Sequence, residues 1–283
     1  MRLEAVSNGL GSQSLYLVVL AAKGIIKSNV SITADTGAEN DRAWSSGERT
    51  TARIYFDQVI APYCLNHGIE PRFVRSLDSR GNELPSLLDH VRSAAPGPPN
   101  VPMFGSNGGR LRQVCTDKWK IRAVRQEARR MGATHFCTAQ GIHIGESSRR
   151  VKGKFIGMDG QWSVYQDETI RDGVRKPIRW CTHYYPLVDL RLNRQNVRDE
   201  LQKEGLPWLE SSECDLCPHQ DIERWNRHTQ EELVQIAELE SKFNGQYFFT
   251  DERIPLLESL KRKRDRPKSL DLDFGCENSY CGI

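Results

Sequence analysis

The sequence predicts an α/β fold that opens on a β-α-β unit. Three observations carry that expectation. A short apolar segment, residues 3–6, runs through a stretch of small residues into the apolar run 15–20. A β-branched, alternating segment, Val30–Ala34, follows it. Strand-like and helix-like patterns then alternate as far as residue 139, the order expected of a parallel sheet.

Residues 3–6 are read as the first strand and 13–23 as the first helix, with Gly24 as its stop. Between them lies Ser7-Asn8-Gly9-Leu10-Gly11-Ser12-Gln13-Ser14. Glycine there permits close backbone approach, and serine adds hydroxyl donors without bulk. Backbone N–H groups and a helix N-terminus would point at one bound anion, a phosphate; a tight turn without a ligand is the competing reading. The pattern is neither G-x-x-x-x-G-K-S/T nor G-x-G-x-x-G, which weighs against Walker and Rossmann sites. The second strand ends in Asp35-Thr36-Gly37-Ala38-Glu39. Because ligands of open α/β sheets lie at the carboxyl ends of strands, the Ser7 and Asp35 loops are expected to flank one crevice.

Residues 51–67 are read as a helix on the sheet, 71–75 as a third strand, and 93–100 with 105–109 as irregular, mobile chain. The next helix, 117–131, sets Ile121, Val124, Ala128 and Met131 on one face and stops at Gly132. A fourth strand, 134–139, ends in a polar loop containing Gly141, Glu146 and Arg149. Glu146 suits Mg²⁺ or a hydroxyl and Arg149 suits phosphate, with a solvated turn as the competing reading. Residues 155–179 are rich in Gly, Asp and Arg and read as an insertion of turns or a hairpin. Residues 193–204 form a helix stopped by Gly205, and Thr229-Gln230-Glu231-Glu232 is a capping box opening 233–243. The expected organisation is a nucleotide-binding α/β domain over 1–150 and a C-terminal part over 151–283, mainly helical and carrying a cysteine knuckle.

A chain of 283 residues with 38% hydrophobic content and no apolar run of membrane-spanning length is expected to be cytoplasmic, with no membrane partner. The net charge of +3, from 40 basic and 37 acidic residues, permits a nucleic-acid partner without demanding one. The basic runs 149–154 and 261–268 fit either solvated surface or nucleic-acid contact.

Eight cysteines without an export signal point to ligands, catalytic thiols or core residues rather than a disulfide framework. Cys214-Asp215-Leu216-Cys217 is a C-x-x-C knuckle that could bind zinc, ligate an iron–sulfur cluster, act in redox exchange or do nothing. Cys115 precedes Thr116-Asp117, a good helix start, and a thiol at a helix N-terminus is suited to ligation or nucleophilic chemistry. Cys64, Cys137 and Cys181 read as structural, and Cys276 and Cys281 lie in the tail.

Taken together, Ser7-x-Gly9-x-Gly11-x-Gln13-Ser14, Ala34-Asp35-Thr36-Gly37-Ala38-Glu39, Arg112-Gln113-Val114-Cys115-Thr116-x-x-Trp119-Lys120-Ile121, Gly141-Ile142 with Glu146, Tyr185-Pro186-Leu187-Val188 and Cys214-x-x-Cys217-Pro218 resemble the phosphoadenosine-phosphosulfate-reductase-like branch of the PP-loop, or adenine nucleotide alpha hydrolase, superfamily. The resemblance implies a parallel sheet sandwiched by helices. It implies an adenine nucleotide, ATP with Mg²⁺, held by Ser7, Gly9, Gly11, Ser12, Gln13 and Ser14, with Asp35 and Gly37 beside the adenosine and Lys120, Gly141 and Arg149 completing the site. It also implies that Cys115, Cys214 and Cys217 gather nearby as ligands of a 4Fe–4S iron–sulfur cluster or of zinc, with Cys115, Glu146 and Cys281 as catalytic candidates.

Two departures bear on the chemistry. PP-loops of this kind carry a Lys-Asp pair where this chain has Leu10 and Gly11, so Arg149, Lys120 or Mg²⁺ must supply the missing cation. The tail Tyr280-Cys281-Gly282-Ile283 lacks the flanking Glu and His of sulfonucleotide reductases. Three functions follow as expectations: an ATP-dependent adenylating enzyme that passes sulfur to an acceptor such as nucleic acid, with a sulfur-donor protein as partner; a sulfonucleotide reductase using Cys281; or a nucleotide-binding accessory protein without catalysis.

Overall fold

A computed structural model describes residues 1–39, 42–43, 45, 49–150, 152–171, 174–210 and 213–265. One mixed sheet of seven strands forms its centre. The strands are β1 (Arg2–Asn8), β2 (Val30–Ala34), β3 (Glu70–Val74), β4 (His135–Gln140), β5 (Lys154–Asp159), β6 (Trp162–Arg171) and β7 (Val174–Tyr184). Their spatial order is β3-β2-β1-β4-β7-β6-β5. The five strands from β3 to β7 run parallel, and β6 is antiparallel to both its neighbours.

The helices labelled here are α1 (Ser12–Ala22), α2 (52–66), α3 (Leu87–Ala94), α4 (116–130), α5 (Arg194–Lys203), α6 (Gln230–Ser241) and α7 (Leu256–Asp265). Side-chain alternation along the strands gives the sheet two apolar faces. On one, Val6, Cys137, Ala139 and Tyr184 pack against α1, α2 and α5. On the other, Leu3, Ala5, Ile32 and Phe136 pack against Ala123, Val124 and Ala128 of α4. A third cluster joins Ala38, α3 and Trp119 to Cys214, Cys217, α6 and α7.

Local chemistry sets the element ends. Gly24, at φ +69°, lets Ile25 N reach Leu20 O and Gly24 N reach Ala21 O, closing α1 in a Schellman motif. Thr229 and Glu232 cap α6 reciprocally, as its sequence predicts. The structure differs from expectation in two places. β1 runs on through Ser7 and Asn8, because both pair with β2. Both long helices contain a π-helical segment, Phe56–Ile60 in α2 and Thr116–Ile121 in α4. The segment 155–179 forms a hairpin, one of the two forms its sequence offered, and the hairpin widens the main sheet, since β7 pairs with β6 along its length and with β4 at its end. Three sheet strands follow residue 150, and α3 lies in the same apolar cluster as α6 and α7. Among the described residues, no helix is long and apolar enough to cross a membrane.

Candidate nucleotide site at the carboxyl edge of the sheet

The strand order reverses between β1 and β4, so the turns leaving their carboxyl ends diverge and leave room for a ligand. The turn after β1 is tightly specified. Asn8 Oδ1 accepts from Leu10 N at 2.9 Å, and Asn8 Nδ2 donates to Ser31 Oγ at 3.2 Å. This Asx turn holds Leu10 in the left-handed region at φ 65°, with its side chain buried. Strain at a leucine is a local cost that a functional turn can carry. Gly11 then caps α1 with extended backbone and no side-chain hydrogen bond, while Ser14 Oγ turns back to Gly11 O at 3.0 Å.

Around this turn, Ser7, Ser12 and Ser14 are buried, and Gly9, Gly11 and Gln13 are half-buried. Ser7 Oγ has no hydrogen-bond partner among the described residues. Gly11 forms a parallel bridge with Leu209, which roofs one side. The other side is open: a Cβ built on Gly9 meets nothing within 4 Å. From β4, Gly141 presses on the start of α1, where a Cβ would lie 2.9 Å from Ser14 N and 3.1 Å from Gln13 C. Two turns far apart in sequence thus close on one helix N-terminus.

Glu146, itself buried, follows Gly141 in the next turn, with its carboxylate 3.7 Å from His143 Nε2. Arg149 lies in the short helix Ser147–Arg150, with its side chain outside the described residues. Cys276 and Cys281 lie outside them entirely.

Asn8 pairs with Thr33, so Asp35 emerges one strand away from the β1 turn. Asp35 accepts from Gly37 N and from Arg75 Nε, both at 2.8 Å. Gly37 has φ +63°, and its added Cβ would sit 2.5 Å from Ser86 Cβ, so only glycine fits. A cleft of about 540 Å³ opens here, lined by Asp35, Gly37, Glu39, Thr51, Phe73 and Arg75 among others. Residues 7–14 are not in its lining. The reason is topological: β2 has β3 on its far side, so its loop also faces Arg75 and the start of α2. Arg75 and Phe73 were missed as site residues, although the strand carrying them was foreseen.

Beyond Asp35 lies the sulfur cluster. Asp215 N donates to Ala38 O at 2.8 Å, docking the C-x-x-C turn onto the loop after β2. Cys214 Sγ donates to Glu39 Oε1 at 3.8 Å and lies 3.8 Å from Thr36 Oγ1. Lys120 Nζ stands 3.0 Å from Glu39 Oε1, with both side chains nearly covered. Cys115 packs on the same apolar cluster as Cys214 and Cys217. Its dihedrals are already helical, φ −56° and ψ −42°, and it stands directly before Thr116 at the N-terminal end of α4. Among the described residues, no group of three or more His, Cys, Asp or Glu is arranged to hold a metal ion.

Cys64, Cys137 and Cys181 are buried in the sheet core, as their sequence context implies, and burial pushes the Cys64 and Cys181 thiols up to about 12.

No protein-family model matches the chain, and no curated protein sequence matches it. Among solved structures, the chain is similar to phosphoadenylyl-sulfate (PAPS) reductase from Candida auris, crystallised as a phosphate complex, at a TM-score of 0.39 and 10% identity, over 74% of this chain and 75% of that one.

Proposed function

We propose that this chain is an ATP-dependent enzyme that adenylates an acceptor and passes sulfur to it, with the nucleotide phosphates seated on the N-terminal end of α1. The observation that carries this reading is the β1-to-α1 turn at the switch point, where the N-cap Gly11 of α1 makes no side-chain hydrogen bond and the half-buried Gly9 leaves open space beside the turn. Such a helix end offers N–H donors and a positive partial charge to an anion.

In that reading an acceptor oxygen attacks the α-phosphate of ATP, pyrophosphate leaves, and the adenylated acceptor then loses AMP to a sulfur nucleophile. Donors fixed around the turn stabilise charge as it develops on the α-phosphate. Asp35, pre-set by Arg75 and Gly37 N, would hold the nucleoside side. Lys120 is held by Glu39, so Arg149 is the protein cation assigned to the phosphates. Mg²⁺ would be held by those phosphates and by one or two carboxylates, of which Glu146 lies at this edge. When bound, it supplies charge neutralisation. The thiols carry no step through a metal. Nucleic acid is the proposed acceptor class, supported by the basic runs 149–154 and 261–268 of the sequence, and a sulfur-donor protein is the proposed partner.

The test is direct. Purified protein given ATP and candidate acceptors should release pyrophosphate and AMP, detected by mass spectrometry, and Gly9→Asp should abolish both. Removing the last three residues should leave that release intact, whereas a reductase working through Cys281 would be lost. Tight ATP binding with no pyrophosphate from any acceptor would replace the adenylating reading with a non-catalytic nucleotide-binding one.

A further inference from the structure

We propose that Cys214 and Cys217 form a redox-active dithiol, a thiol–disulfide exchange site behind the cleft wall whose oxidant is a disulfide-bearing small molecule or polypeptide. The proposal stands on the geometry of the knuckle and not on the nucleotide reading.

The turn has the reach of a disulfide. Cys217 N donates to Cys214 O at 3.0 Å, and an i to i+3 turn of this kind brings its end Cα atoms within about 7 Å, close to the span that a disulfide bridges. The backbone is held without using the sulfurs: Gln220 Nε2 donates to Cys214 O at 2.9 Å and to Asp215 O at 2.6 Å. His228 Nε2 in turn donates to Gln220 Oε1 at 3.2 Å.

Cys214 and Cys217 keep 6% and 7% of their residue surface, against 3% for Cys137, 1% for Cys181 and 0% for Cys64, which makes them the least covered of the five buried cysteines among the described residues. The sulfur also touches the cleft wall. Cys214 Sγ contacts Thr36 Oγ1 and Glu39 Oε1, and Glu39 lines the cleft. Closing the disulfide turns that sulfur toward Cys217 and gives up both contacts, so the cleft wall changes with redox state.

The exchange balances. One cysteine sulfur attacks a sulfur of the incoming disulfide, whose S–S bond breaks and releases one thiol. The second cysteine attacks the mixed disulfide and releases the other thiol. The protein dithiol loses two electrons and two protons, and both leave on the two released thiols.

The experiment equilibrates the full-length protein in a series of reduced and oxidised glutathione mixtures, alkylates it, and maps the peptides by mass spectrometry. A parallel arm uses oxidised thioredoxin. The expected result is a reversible Cys214–Cys217 disulfide with Cys64 and Cys181 still thiols. Gln220→Ala should move the half-oxidation ratio by about tenfold, since it frees a turn held by two hydrogen bonds. Cys217→Ser, checked for an unchanged melting temperature, should trap a mixed disulfide on Cys214. Oxidation by thioredoxin alone supports the polypeptide source, and oxidation by glutathione supports the small-molecule one. Two thiols that alkylate fully across both series, pairing with other cysteines, or protection by a stoichiometric metal would each overturn the proposal.

Discussion

Replacing Gly141 with alanine should damage the β1-to-α1 turn from the opposite strand. The added Cβ would stand 2.9 Å from Ser14 N and 3.1 Å from both Gln13 C and Gln13 Cβ. Two of these neighbours are backbone atoms at the start of a helix whose residues 14–20 are buried, so relief requires moving α1 or the strand end. Overpacking of this kind costs about 1–3 kcal/mol, and about 2 kcal/mol corresponds to a melting temperature lower by roughly 3–4 °C in a chain of this size. Gly9→Ala is the matched control, because its Cβ meets nothing within 4 Å. It should leave the melting temperature within about 2 °C of the parent, as expected of a change that creates no clash. If the open side of the turn receives phosphate, that same methyl should still weaken ATP binding by at least about tenfold, a loss of roughly 1.4 kcal/mol. Differential scanning fluorimetry and calorimetric ATP titration read the two effects separately. A Gly141→Ala protein that melts like the parent, or a Gly9→Ala protein that binds ATP like the parent, would refute the reasoning.

Lys120→Met should destabilise the fold by about 3–5 kcal/mol, because it removes the cation paired with the nearly covered Glu39 carboxylate; adding Glu39→Gln should recover most of the loss in a urea titration. Burial raises the Glu240 carboxyl from 4.5 to about 7, against two backbone N–H bonds from Phe249 and Leu256 that oppose the shift. A carboxyl raised in the folded state stabilises fully below its unfolded value and loses that stabilisation as pH climbs through the folded one, here between about 4.5 and about 7. The stability of the parent relative to Glu240→Gln should therefore fall by on the order of 3 kcal/mol from pH 4.5 to pH 8, and a constant or growing difference would contradict it. Cys64 and Cys181, with thiols pushed up to about 12, should resist iodoacetamide at pH 8 in the folded protein; labelling at the unfolded rate would show that they are open to solvent.

What the sequence made legible was whatever a single local pattern decides. Val30–Ala34 alternates and is β-branched, and it forms a strand with those bounds. The small residues at 7–14 mark a strand-to-helix turn, and Gly24 and Thr229 mark helix ends. What stayed hidden depends on partners distant along the chain. Residues 155–179, rich in Gly, Asp and Arg, read as turns or a hairpin, and the pairing of β7 with β4 that draws this hairpin into the main sheet is one that composition does not encode. The π-helical segments of α2 and α4 have no local signature. Gly141 against Ser14, Glu39 against Lys120, and Gln220 beneath the cysteine turn are likewise contacts of tertiary packing. The three thiols were foreseen as neighbours, and the apolar cluster does gather them, but not in a metal-ligating arrangement among the described residues.

Amide hydrogen exchange with and without ATP and Mg²⁺, followed by mass spectrometry, tests the central claim most directly. Peptides covering residues 7–16 and 140–147 should exchange more slowly when ATP is bound, and Gly9→Asp should remove that protection. ATP that binds with no change at either turn, or that protects only residues lining the cleft beyond Asp35, would contradict a phosphate site on α1.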